Sequence, residues 1–230
     1  MRFQSALIVG AGAGLSASLA RQLAAQGTRV ALAARNAEKL APLAAEIGGI
    51  ALACDAARPE AVAALFAETD RLGFAPDCVI YNPSRRLRGA ITDLDPAAVA
   101  EVLAISAYGG FLVGQQAARR MLARGGGAIG FTGASASVKG YALSAPFAMG
   151  KFALRGLAQS MARELHPQGV HVVHLVIDGG IRSEHRPTPA EAPDSLLDPD
   201  AIAATYLAAL QQPRSAWSFE VELRPWVERF

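Results

Sequence analysis

Ala6-Leu-Ile-Val9 runs directly into Gly10-Ala-Gly-Ala-Gly14-Leu-Ser16, and the reading of this stretch decides the fold. Four apolar residues without a charge read as a strand buried on both faces. The glycines mark a tight loop. Leu15, Leu19 and Leu23 then recur at helical spacing along Ser16–Gln26, and Gly27 stops the helix. In a strand, glycine loop and helix so ordered, backbone N–H groups can approach a pyrophosphate at the helix N-terminus. The spacing Gly10-x-Gly12-x-Gly14 departs from G-x-G-x-x-G, so the glycines by themselves also suit a structural turn. Their place in the first β-α turn is what points to phosphate.

The same rhythm continues outward. Apolar runs at Arg29–Ala34, Gly49–Cys54, Asp77–Asn82, Ala128–Thr132, His171–Ile177 and Trp217–Leu223 alternate with helical patterns. That alternation predicts repeated β-α units around a parallel sheet. Pro42 should bend or restart the helix over Ala37–Ile47. Asp95-Pro96 caps a helix that runs with one break to Arg124, and Pro59, Ser144 and Asp198-Pro199 open three more. Gly179–Leu197, with Pro187, Pro189 and Pro193, is the one long irregular stretch, and a lid on the substrate side suits it better than a linker. The expectation is one domain over residues 1–230, with that lid at about 179–197.

Composition narrows the function classes. The chain has 230 residues, of which 52% are hydrophobic and 18% charged, with a net charge of +2. Low charge with continuous apolar periodicity excludes disorder, and so weak a positive charge does not suggest a nucleic-acid surface. Apolar runs are broken before about 18 residues, so no membrane span is expected. Met1-Arg-Phe-Gln-Ser has no long apolar region before the glycines, and a cytoplasmic location is the expectation. Cys54 and Cys78 stand far from any partner in ligand spacing, so neither a disulfide nor a metal site is predicted.

The end of the second strand bears on cofactor choice. A carboxylate there accepts hydrogen bonds from a ribose, whereas an arginine attracts a 2′-phosphate. Ala33-Ala34-Arg35-Asn36 offers Arg35 and no acid, which favours NADP(H). Asp55, after the third strand, suits either an adenine amino group or the cap of the next turn.

Taken in order, these residues resemble the short-chain dehydrogenase/reductase family over nearly the whole chain. The likeness runs through Gly10–Ser16, Asp55, Tyr81-Asn82-Pro-Ser84 in place of Asn-Asn-Ala-Gly, and Gly109-Gly-Phe-Leu-Val113. It continues in Gly127-Ala-Ile129, the Lys151 helix, and Asp178-Gly-Gly-Ile181 in place of Pro-Gly-x-Ile. The resemblance implies an α/β, Rossmann-like doubly wound parallel sheet of about seven strands with helices on both faces. It also implies NAD(P)-linked carbonyl and alcohol chemistry on a small-molecule substrate, and a homodimer or homotetramer. Gly10, Gly12, Gly14, Leu15, Asn82, Ile181 and Ser183 would lie along the cofactor, Ile181 presenting its backbone to the carboxamide.

The departures fall on the chemistry. The family's catalytic tyrosine stands four residues before its lysine and its serine thirteen before that tyrosine. Counted back from Lys151, these positions hold Phe147 and Ala134, and the asparagine position holds Ser106. A phenyl ring cannot donate a proton to an alkoxide. Ser135, one residue past the serine position, and Thr132 could still bring a hydroxyl to the pocket. Only three residues of the chain are lysines, Lys39, Lys139 and Lys151. A compact ammonium suits two ribose hydroxyls where a guanidinium does not, so Lys151 reads as a ribose ligand before a chemical group. Tyr108, Tyr141, Ser144, Asp178 and His185 are the other candidate proton donors. Arg85, Arg86 and Arg88 either meet an acidic substrate or subunit or simply line a solvated loop. The expected function is an NADP(H)-dependent oxidoreductase with altered acid–base residues. The alternative is a catalytically silent NADP(H)-binding sensor or scaffold subunit.

Overall fold

The computed structural model describes residues 2–228. Its strands are β1 (Ser5–Val9), β2 (Arg29–Ala34), β3 (Ile50–Ala53), β4 (Cys78–Tyr81), β5 (Gly127–Thr132), β6 (Val170–Ile177), the two-residue β7 (Gly180–Ile181) and β8 (Leu196–Leu197), and β9 (Glu220–Leu223). Seven of them form one wholly parallel sheet in the order β3-β2-β1-β4-β5-β6-β9. Between the strands run α1 (Leu15–Ala25), α2 (Ala41–Glu46), α3 (Pro59–Arg71), α4 (Pro96–Leu103), α5 (Gly109–Ala123), α6 (Ala145–Leu165) and α7 (Pro199–Leu210). Helices cover both faces, so the central strands β1, β4, β5 and β6 are buried throughout. One core joins Val113, Ala117 and Leu154 from α5 and α6 to Leu7 and Val79. The other joins Leu15, Leu19 and Leu23 of α1 and Tyr206 of α7 to Ile8 and Ile80. Winding reverses between β1 and β4, and the crevice at that reversal is where such sheets bind ligands.

Pro42 restarts its helix, as its fixed φ and missing donor predict: a 3₁₀ turn at Glu38–Leu40 leads into the short α2. Three elements differ from the sequence expectation. The expected break before Arg124 is instead a π-turn, Ala104–Tyr108, that joins α4 to α5 without interruption. The stretch 179–197 is not wholly irregular, since β7 pairs in parallel with β8 at its base. Trp217 lies outside β9 and stacks on His171 with ring centroids 4.5 Å apart, while Trp226 is 81% exposed. Phe230 lies outside the described residues.

The continuous helical stretch Pro96–Ala123 is long and apolar enough to cross a bilayer by length and composition. Here Val113, Ala117 and Met121 of that stretch pack into the sheet's core. Tyr108, Phe111, Met149 and Phe152 remain exposed.

The π-turn has a specific support. Tyr81 points from the end of β4 into the helix layer and donates its hydroxyl hydrogen to the Ile105 carbonyl. Gly109 follows because a side chain there would run into the Tyr81 hydroxyl and the Ala56 carbonyl. Burial pushes the Tyr81 phenol well above its ordinary pKa, so it stays a neutral donor. Tyr81→Phe leaves the Ile105 carbonyl buried without this partner. It should destabilise the fold by about 1–3 kcal/mol in a urea melt, with the far-UV spectrum unchanged.

Candidate active site

β1 ends at Gly10, whose φ of +78° closes the turn, and a Cβ there would come 2.6 Å from the Pro83 nitrogen. Only glycine fits that close approach. The Gly10 and Ala11 amides both donate to the Ala33 carbonyl, at 2.8 and 3.0 Å. Gly12 and Gly14 are different: a Cβ on either would meet no atom within 4 Å. The open space above these two positions is a cradle that side chains would fill. The N-terminus of α1 has no side-chain cap and no acidic residue in its first turn, which leaves its N–H groups to an anion. Asn82 binds this turn to β4, donating its Nδ2 hydrogen to Ser16 Oγ at 2.7 Å, and Ser16 donates on to the Gly10 carbonyl.

Two cavities that share Gly10, Asn82 and Ser84 form one groove across the carboxyl ends of the strands. The first, about 500 Å³, is bordered by Arg35, Asp55 and Asn82. Arg35 is exposed there. Asp55 lines the cavity and also accepts from the Ala57 amide at 3.1 Å, so the turn-capping reading is realised without closing off the ligand one. Arg85 also borders this cavity and pairs with Glu101.

The second cavity, about 530 Å³, runs over Gly12, Gly14 and Leu15 to Ala134, Phe147, Lys151, Ile181 and Ser183. Lys151 is 2% exposed and donates to the Thr132 carbonyl at 2.7 Å. Burial, and secondarily the charge of Arg86, lower its ammonium from 10.5 to about 8. Phe147 stands one helical turn before it, with the Lys151 Nζ 5.9 Å and the Arg86 Cζ 4.9 Å from the ring centre. Two cations therefore flank the phenyl ring that occupies the tyrosine position.

The remaining candidates divide. Ser135, Tyr141, Ser144 and Asp178 border a smaller cavity on the other side of Phe147, and His185 borders the main groove. Tyr108 is not among the residues bordering these cavities; it stacks on Phe111 at the surface. Ser106 is fully buried, lines no part of the groove, and its Oγ has no partner among the described residues. It fits against Gly150, where a Cβ would come 2.7 Å from its own Cβ, which places its side chain between helices and away from the described groove. Asp178 does not serve as an unpaired acid. Its Oδ2 lies 3.2 Å from the Lys139 Nζ and 3.9 Å from Arg224, as the acceptor of an ion pair.

Arg186 is the residue that sequence reasoning missed. Backbone bonds exchanged between Ser183 and Arg186, both 3.0 Å, close a small turn that brings its side chain to the groove. No pattern in Gly179–Leu197 announces that turn. Both cysteines are free and buried, and no three metal-ligating side chains gather among the described residues.

The chain is similar to known proteins along most of its length. The family model described as short chain dehydrogenase matches residues 4–192. A D-threitol dehydrogenase of Mycolicibacterium smegmatis is 32% identical over 179 residues, 73% of this chain and 66% of that protein. The crystal structure of a short-chain dehydrogenase from Rhodopseudomonas palustris superposes with a TM-score of 0.85 at 38% identity, covering 96% of this chain and 98% of that one. A metagenomic short-chain oxidoreductase in complex with NADP does so at 0.84 and 28% identity, over 96% and 97%. With the family model matched over residues 4–192, the chain belongs to the short-chain dehydrogenase family.

Proposed function

We propose that the protein is an NADP(H)-dependent oxidoreductase of small molecules whose acid–base apparatus differs from the family's. The observation that carries this reading is Lys151, a wholly buried ammonium at the floor of the groove with the Thr132 carbonyl as its hydrogen-bond acceptor. A buried cation is costly unless something else uses its remaining donors, and ribose hydroxyls above it would do so. Gly12 and Gly14 would then pass the pyrophosphate to the start of α1, with Arg35 facing the 2′-phosphate and Ile181 the carboxamide. The bound nucleotide would supply the hydride.

The protein's own part is to orient the substrate and to manage one proton. Phe147 cannot give one. Lys151 keeps its proton at neutral pH but holds it less tightly than an ordinary lysine, which suits a donor toward a developing alkoxide. Residues 179–197 would act as the lid. The exposed Tyr108, Phe111, Met149 and Phe152 suit the contact of a homodimer or homotetramer.

Fluorescence titration tests the cofactor. NADPH should bind about tenfold or more tighter than NADH, and Arg35→Ala should remove the difference. Equal affinities in the wild type would overturn the role of Arg35. NADPH oxidation against a mixed panel of ketones, imines and activated alkenes tests the reaction. Tight binding with no turnover on any of them would favour a silent sensor or scaffold.

A further inference from the structure

The side cavity beside Phe147, about 290 Å³, carries a concentration of charge. Arg86, Arg88 and Arg186 all border it, the first two from the loop after β4 and the third from the Ser183–Arg186 turn. None of the three forms an ion pair among the described residues. Arg85 and Arg182, their sequence neighbours, are both paired, with Glu101 and Asp198. Two acids border the same space. Asp178 is already engaged by Lys139 and Arg224, which leaves Glu228 facing three guanidinium groups.

Arg86 and Arg186 also border the main groove, so this positive region begins where a nicotinamide ring and its substrate would meet. Ser135 and Ser144 add hydroxyl donors, and Phe147 with Tyr141 supplies flat apolar walls. Guanidinium forks and hydroxyls match the planar, two-oxygen face of a carboxylate.

We propose that the substrate is a carbonyl compound bearing a carboxylate, which is held by Arg86, Arg88 and Arg186 beside the ring of Phe147. The assignment rests on the oxidoreductase reading above and names its substrate class. An anion placed there also relieves the repulsion by which Arg86 lowers the proton affinity of Lys151, and so strengthens that lysine's hold on its proton.

A matched pair of probes tests it: 4-carboxybenzaldehyde and its uncharged analogue methyl 4-formylbenzoate. They differ in charge at the far end of the ring. NADPH titration of the wild type comes first, because absent uptake brings down the oxidoreductase reading itself. With NADPH bound, kcat/KM is compared for the two aldehydes, or their affinity by calorimetry should neither turn over. The acid should be preferred about tenfold or more, the preference should shrink as salt is raised, and it should fall toward one in the Arg88→Ala, Arg186→Ala double variant. Normal NADPH uptake with the ester equal or preferred overturns the substrate assignment alone, as does an acid preference that survives in the double variant.

Discussion

Phe147→Tyr combined with Ala134→Ser should raise NADPH-dependent reduction of simple aldehydes and ketones by about 10²–10⁴-fold, the usual worth of a positioned proton donor. The geometry favours the gain. Both positions line the groove beside Lys151, and Ala134 and Phe147 pack together with Ala136. A hydroxyl added to the ring at 147 would enter a space flanked by the Arg86 guanidinium and the Lys151 ammonium. Two neighbouring cations favour a phenolate, so the new tyrosine should titrate below its ordinary value near 10. Reduction by the variant should therefore decline at high pH earlier than a free phenol would dictate. An unchanged rate across a broad aldehyde and ketone panel, in a variant that still binds NADPH, would show that the groove does not present its substrate at residue 147.

Lys151→Met should weaken NADPH binding by about 10²-fold, since two or more charge-assisted hydrogen bonds disappear together. Titration calorimetry reads that loss, and unchanged affinity would remove Lys151 from the cofactor site. The same substitution alters the pH dependence of stability. In the folded protein the ammonium titrates at about 8, against 10.5 for an unperturbed lysine. Between those values the unfolded chain binds more protons, so the wild type gains stability as pH rises from about 8 to 10.5 and carries the full burial penalty below 8. Thermal melts at a series of pH values should show this rise in the wild type and its loss in Lys151→Met. At pH 7 the net change in Tm should be small, because methionine removes the buried charge but leaves the Thr132 carbonyl without its donor. If Lys151 also supplies the reaction's proton, wild-type turnover declines as pH rises through about 8.

The fold was legible because its signals are local. Leu15, Leu19 and Leu23 state the core face of α1, and the charge-free runs at β1, β4 and β6 state burial on both sides. The tight turn that begins at Gly10 was equally readable from the strand before it. The π-turn was not, because one additional residue hardly disturbs apolar spacing along a helix and Tyr81 reaches it from a distant strand. Counting back from Lys151 located Phe147 and Ala134 beside the groove, since a helical turn and a strand end keep their geometry. The same arithmetic said nothing of whether Ser106 faces a ligand or the back of Gly150. Pairing was the least legible property. That Asp178 is matched with Lys139 while Arg86 and Arg186 form no ion pair among the described residues depends on three loops meeting, and no spacing within any one of them records it.

The added residue at Ala104–Tyr108 acts as a phase adjuster between two halves of a long rod. Each residue advances a helix by about 100°, so deleting one within that turn would rotate the upstream half by that amount relative to the downstream half. Val102, now wholly shielded, would swing toward the solvent, and α4 would lose its registration with its neighbours. The Tyr81 hydroxyl thus helps to latch a crankshaft at a fixed angle, at the joint between its two halves.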